Sequence, residues 1–215
     1  AWPITLSDCH VARVPAADGP LYDPRWRMLD DGDLDLLAAR LTAGRARPIP
    51  IFAYGSLIWN PGFDPAETVH ARLAGYARSF CLRSIQHRGT EAVPGLVLGL
   101  DPQDGASCQG VALRIRPRDH DRVLADLRAR ELVTDAYREA ILPVDLQDGR
   151  RVQALAYVMR RDHWQYAGGL PADEQARIIA QAHGGRGPNA EYLFNTAAHL
   201  AQIGMPDDHL DALSD

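Results

Sequence analysis

Two places in the chain carry residue types able to do chemistry: the loop Tyr54-Gly55-Ser56-Leu57 and the dipeptide Arg130-Glu131. An apolar strand pattern, Ile51-Phe52-Ala53-Tyr54, runs into the Gly55-Ser56 break and resumes with Leu57, Ile58 and Trp59. Glycine lets the chain bend sharply and lets a ligand approach the main chain closely. Such a loop can aim successive N–H groups into a concave nest suited to a carboxylate or an oxyanion. The same pattern also describes a tight turn between two buried strands. Ser56 is not placed as a hydrolase nucleophile, because Tyr54 and Ile58 occupy the glycine positions of G-x-S-x-G. Glu131 follows a stretch with helical spacing, where a carboxylate is disfavoured by the helix dipole. That setting tends to raise a carboxyl pKa and makes Glu131 a candidate for proton transfer, against the commoner solvated helix-end glutamate.

A third candidate is Arg88, in His87-Arg88-Gly89-Thr90 just before Pro94-Gly95. A guanidinium there can face a substrate carboxylate in bidentate fashion, or simply be a solvated loop arginine. Other signals carry less. The glycine-rich run from His183 to Asn189 lacks the G-x-x-x-x-G-K-[ST] spacing of a phosphate loop and reads as a helix stop followed by a helix start. The eight histidines are scattered, with no H-x-x-x-H pair or H-E-x-x-H, so no metal site is expected.

These residues need elements to hold them, and 215 residues suffice for one substantial core. Strand patterns fall at 50–54, 72–77, 79–84, 95–100 and 108–115, and a further pair near 137–145 and 151–159 flanks the hairpin signal Asp148-Gly149. Pro117 to Arg130 has helical spacing with Val123, Leu124 and Leu127 on one side. The last 45 or so residues read as helices. One runs from Asp173 to His183 and is closed by Gly184-Gly185. The next is capped by Asn189 and carries Tyr192, Leu193, Thr196, Ala197 and Leu200 on one face. The pattern predicts an α+β fold, a small curled sheet or barrel with helices around it. Residues 1–49 read as an N-terminal extension, a loop from Pro15 to Asp31 and then a short helix capped by Asp33 with Leu34, Leu37 and Leu41 on its apolar face.

Composition narrows the partners. With 46% apolar and 24% charged residues and a net charge of −5, the chain lacks the basic stripe expected of a nucleic-acid or anionic-membrane binder. No apolar run approaches the roughly 20 residues that span a bilayer, and no secretory-signal pattern opens the sequence. Cys9, Cys81 and Cys108 are odd in number and widely spaced, which argues for buried thiols in a reducing cytoplasm rather than a disulfide framework.

Taken in order, the motifs resemble those of the ChaC-like, glutathione-specific γ-glutamylcyclotransferases. The resemblance starts at Phe52-Ala53-Tyr54-Gly55-Ser56-Leu57-Ile58-Trp59-Asn60-Pro61 and continues through Gly75-Tyr76, Phe80, Arg88-Gly89-Thr90, Pro94-Gly95 and Gly110-Val111-Ala112. It goes on to Arg130-Glu131 and Tyr137, then to Asn189-x-Glu191-Tyr192-Leu193-Phe194 and Asp208-x-Leu210. Residues 50–215 would form the cyclotransferase domain, with a small barrel-like sheet. The resemblance implies cleavage of glutathione to 5-oxoproline and cysteinylglycine, without metal or organic cofactor. It places the substrate loop on Phe52 to Leu57 and the catalytic carboxylate on Glu131. Tyr54 would wall the pocket, while Tyr137 and Tyr192 would donate phenol hydrogen bonds; core packing is the alternative for all three. Two departures stand out: Ala53 replaces the usual first loop glycine, and Thr134-Asp135-Ala136 stands where many members carry glycine before Tyr137. Other γ-glutamyl amines as substrates, or a non-catalytic γ-glutamyl- or protein-binding module, remain as alternative readings.

Overall fold

The structure is a computed structural model that describes residues 48–214 together with Gly32. Cys9, the expected loop from Pro15 to Asp31 and the helix capped by Asp33 lie outside the described residues. The described chain divides into two compact units, 48–79 with 99–164, and 80–98 with 165–214.

Five strands form a closed barrel in the order β1-β3-β2-β4-β5, most of whose residues belong to the first unit. These are β1 (Ile51–Ala53), β2 (Glu67–Ser84), β3 (Gly95–Arg114), β4 (Tyr137–Leu146) and β5 (Arg151–Met159). β1 runs antiparallel to β3, with Phe52 opposite Ala112, and parallel to β5, with Ile51 opposite Leu155. The β4–β5 hairpin keeps register from Tyr137 opposite Met159 to Asp145 opposite Arg151. Its turn is at Asp148-Gly149, as the sequence predicts: Gly149 has φ +87°, and Arg150 N–H donates to Asp148 Oδ1 at 3.0 Å. Phe52, Leu73, Leu100, Val144, Ala154, Ala156 and Val158 fill the barrel core. β5 is buried on both faces from Ala154 to Met159, which explains its unbroken apolar run.

Two expected strand pairs are each a single strand. Gly105 (φ +76°), in the expected break at 101–107, lies inside β3, and Gly75 (φ +81°) bends β2 within the stretch 72–77 already read as strand. A glycine in a strand reads as a terminator in sequence, yet it can equally serve as a local bend that leaves the ladder running.

Helix α1 (His120–Glu131) follows a 3-10 turn at Pro117–Asp119 and buries Val123, Leu124, Leu127 and Arg128. Ile49 N–H donates to His120 Nε2 at 3.2 Å, tying the residue before the barrel to the start of the helix.

The second unit holds α2 (Ala172–Gln181), α3 (Asn189–Gln202) and α4 (Asp208–Ser214). Between α2 and α3 the glycine-rich run forms a two-residue hairpin, β6 (His183–Gly184) with β7 (Gly187–Pro188), instead of a plain helix stop. The physical reason is close backbone approach. A Cβ at Gly184 would lie 2.5 Å from Gly89 N, and Gly185 N–H donates to Gln86 O at 2.7 Å. Asn189 also departs from expectation. It is the first helical residue, and its amide clasps Leu96 instead of capping α3. Oδ1 accepts the Leu96 N–H at 2.6 Å, and Nδ2 donates to Leu96 O at 2.7 Å. Tyr192, Leu193, Thr196, Ala197 and Leu200 are all buried, as their spacing predicts. Cys81 and Cys108 are both buried.

Candidate functional site

β1 delivers the chain into the loop. Phe52 and Ala53 are fully buried and paired in the ladder, so their contribution beyond packing is backbone. Phe52 and Tyr54 are two apart and therefore point the same way, into the core, with ring centroids 6.4 Å apart. The Tyr54 hydroxyl donates to Tyr157 O at 2.8 Å. Its ring packs in the barrel core. The Tyr54 carbonyl accepts Arg78 Nε–H at 2.6 Å, fixing the point where the strand ends.

Gly55 then precedes a 3-10 turn, Ser56–Ile58, with Leu57 buried beneath it. The turn's first closing bond is Ile58 N–H to Gly55 O at 2.9 Å, and Asn60 N–H reaches Ser56 O at 2.8 Å. The N–H groups of Ser56 and Leu57 precede that first bond and belong to the donor-rich end that every helical turn leaves open.

Glu131 is the last residue of α1, with Leu132 N–H donating to Arg128 O at 2.9 Å. Its side chain is 17% exposed, neither sealed in nor freely solvated. Arg130 beside it joins the two halves of the site. Its Nε lies 3.0 Å from Glu131 Oε1, its Nη2 donates to Ser56 Oγ at 3.0 Å, and its Nη1 donates to Asn60 O at 2.6 Å. One guanidinium therefore spans the glycine loop and the carboxylate.

Behind them lies a buried polar set that sequence reading missed. Arg128 Nε donates to Glu139 Oε2 at 3.1 Å, with the two side chains 5% and 1% exposed. The Tyr157 hydroxyl donates to Glu139 Oε1 at 3.2 Å. Burial pushes the Tyr157 phenol well above its ordinary pKa, and the carboxylates of Glu139 and Glu131 push it the same way. Tyr157 therefore stays a hydrogen-bond donor. Burial also raises the Glu139 carboxyl, with Arg128 opposing it.

Tyr137 opens β4, partly buried, after the Thr134-Asp135-Ala136 turn. That turn is well tethered despite lacking glycine. Asp135 pairs with Arg160 and, at 3.1 Å, with His163 Nε2, while Arg160 N–H donates to Ala136 O at 2.9 Å.

Arg88 and Tyr192 belong to the other unit, where they meet each other. The Arg88 guanidinium lies 5.8 Å from the Tyr192 ring centroid, and its Nη1 donates to Glu191 Oε2 at 2.9 Å and to Pro188 O at 3.0 Å. Arg88 is buried, which corrects the picture of a solvated loop arginine; the carboxylate its Nη1 faces is the chain's own Glu191. The Tyr192 hydroxyl accepts Leu98 N–H at 3.3 Å, and its ring meets Phe80 edge-on.

A family model described as ChaC-like protein matches residues 49–215. Among curated proteins, a glutathione-specific γ-glutamylcyclotransferase of Escherichia coli (strain K12) is 39% identical over 166 residues, covering 77% of this chain and 71% of its own. The γ-glutamylcyclotransferase 2-3 of Arabidopsis thaliana is 33% identical, covering 76% of this chain and 85% of its own. Among solved structures, a yeast γ-glutamyl cyclotransferase specific to glutathione superposes with a TM-score of 0.70 at 27% identity, covering 77% of this chain and 93% of its own.

Proposed function

The chain belongs to the ChaC-like protein family, and on that footing we propose that it cleaves glutathione by γ-glutamyl cyclisation, releasing 5-oxoproline and cysteinylglycine. The observation that carries this reading is the junction at Arg130, which places the Ser56 loop and the Glu131 carboxylate around one guanidinium.

The reaction makes use of that pairing. The α-amine nitrogen of the γ-glutamyl group attacks its own γ-carbonyl carbon, forming the five-membered lactam. The bond from that carbon to the cysteine nitrogen then breaks. The attacking nitrogen must lose a proton and the departing nitrogen must gain one. Glu131 is assigned both transfers, taking the proton before ring closure and returning it afterwards. No enzyme nucleophile is needed, which agrees with Ser56 Oγ accepting a guanidinium hydrogen bond rather than facing a base.

The loop supplies the second requirement. The open N–H groups at Ser56 and Leu57 are suited to hold the substrate α-carboxylate or the oxyanion that develops at the γ-carbonyl. Holding nitrogen and carbonyl in attack geometry can supply on the order of 7–11 kcal/mol in favourable cases. Tyr137, Arg88 and Tyr192 are assigned to substrate binding on the strength of their motif positions. Residues 50–215 form the catalytic domain in this reading, and the odd number and wide spacing of Cys9, Cys81 and Cys108 support a reducing, cytoplasmic setting.

The test is direct. Purified protein incubated with glutathione is expected to release 5-oxoproline and cysteinylglycine in equal amounts. Glu131→Gln is expected to lower kcat by about 10²–10⁴-fold while the melting temperature stays close to wild type. A folded wild-type protein that releases no 5-oxoproline sinks the assignment, and near-normal turnover by Glu131→Gln removes that residue from its role.

A further inference from the structure

We infer that Arg130 is a positioning residue, a clamp that sets the Glu131 carboxylate and the Ser56 loop in one fixed geometry. The inference rests on the cyclotransferase reading and extends it to a residue that touches neither reacting atom.

The geometry is that of a fork used on three sides. Nη1 holds the Asn60 carbonyl at 2.6 Å, Nη2 holds Ser56 Oγ at 3.0 Å, and Nε lies 3.0 Å from Glu131 Oε1. Asn60 N–H in turn donates to Ser56 O at 2.8 Å, so both ends of the short turn are gripped. A planar guanidinium presents its donors in a rigid arrangement, which a lysine ammonium on a flexible stem does not reproduce. The Arg130 side chain is 19% exposed and the Glu131 side chain 17%; the contact to Ser56 Oγ is partly buried, while the one to the Asn60 carbonyl is open to solvent.

Two consequences follow for the reaction. A guanidinium donating to Ser56 Oγ occupies a lone pair of that oxygen, which makes the hydroxyl a poorer nucleophile and a better donor toward substrate. The Ser56 hydroxyl is therefore a directed hydrogen-bond donor in this site. The carboxylate, for its part, is aimed relative to the loop by a contact local to this unit. Misplacing a reacting group by about 1 Å is enough to cost roughly 10²-fold in rate.

The experiment compares wild type with Arg130→Met, Arg130→Lys, Ser56→Ala and the Arg130→Met/Ser56→Ala double variant, each checked by thermal melting. Arg130→Met is expected to lower kcat on glutathione by about 10²-fold with KM moving less than about threefold. Arg130→Lys should recover only a minor part, since it restores charge without the fork. The double variant should lose less than the product of the single losses, because both substitutions break the same contact. Independently of turnover, the Ile58 and Asn60 amides should exchange with deuterated solvent at least about tenfold faster in Arg130→Met. If wild type is silent on glutathione, the cyclotransferase reading fails, and the exchange rates still decide the clamp. Unchanged exchange at Ile58 and Asn60 overturns the inference. So does wild-type kcat in Arg130→Met, or a loss confined to KM. If Arg130→Met does not fold, Arg130→Lys undergoes the same measurements, and unchanged exchange or wild-type kcat in it overturns the inference equally.

Discussion

Glu131 and Glu139 are two carboxylates near one phenol, and their surroundings separate their roles. Glu131 sits at a helix end with a partly exposed side chain, next to the loop that would hold substrate. Glu139 is sealed in, held by Arg128 and the Tyr157 hydroxyl. Burial raises the Glu139 pKa above its ordinary value. The folded state therefore binds that proton more tightly than the unfolded chain does. Its contribution to stability is fully present below the unfolded pKa and is lost as pH rises through the folded one. Removing Glu139 alone does not relieve the cost, because it strands the buried Arg128 guanidinium. Glu139→Gln is expected to destabilise the fold by about 3–5 kcal/mol, read by urea unfolding at neutral pH. The double replacement Arg128→Met/Glu139→Leu should cost clearly less than Glu139→Gln, because no uncompensated charge remains. A double variant at least as unstable as the single would show that the pair itself stabilises the barrel.

At the scale of elements, the loop depends on how closely β1 can approach β3. A Cβ at Gly110 would lie 2.3 Å from Ala53 O and 3.0 Å from the Phe52 ring, so no side chain fits there without moving β1. Both contacted residues lead directly into Tyr54-Gly55-Ser56. Gly110→Ala is expected to cost about 1–3 kcal/mol in stability, by the usual penalty for overpacking. It should lower turnover as well, since β1 carries the loop. Equilibrium unfolding and a glutathione assay on the same preparation check this; wild-type values in both would show that the contact relaxes freely. Element types were largely legible in the chain: Asp148-Gly149 marked the β4–β5 hairpin, and the apolar spacing of residues 120–131 and 189–202 marked α1 and α3. The misreadings at Gly105 and Gly184 share one cause. A glycine announces a special backbone position but not whether that position ends an element, bends it or admits a neighbouring chain.

At the scale of the whole molecule, the described residues form two units, each with its own buried apolar residues, and no described helix is long and apolar enough to cross a membrane. Global stability should carry a pH signature from His163. Its side chain is 6% exposed, and burial lowers its pKa from the ordinary 6.5 even though Asp135 pulls the other way. The unfolded chain then takes up a proton near pH 6.5 that the folded protein resists, so stability is lost as pH falls below about 6.5. Melting temperatures measured from pH 7.5 down to pH 5.5 are expected to decline. The decline should be shallower in His163→Gln, whose side chain does not titrate. An identical slope in the two proteins would assign the effect to other groups.

What the sequence determined by itself is the set of local words and their order: the strand-to-loop break at Gly55-Ser56, a glutamate at a helix end, and the ordered motifs down to Tyr192 that identify the family. These are legible because turn chemistry, helical spacing and motif order are properties of neighbouring residues. Tertiary structure alone decided the partners. Arg130 reaches back to Ser56 and Asn60, Arg128 finds Glu139, Arg88 directs Nη1 to Glu191, and Asn189 clasps Leu96. Each of these choices follows from how strands and helices of distant sequence position come to lie side by side, and no spacing along the chain encodes that. So the sequence named Glu131 and the loop, and only the closed barrel showed that one guanidinium holds them together.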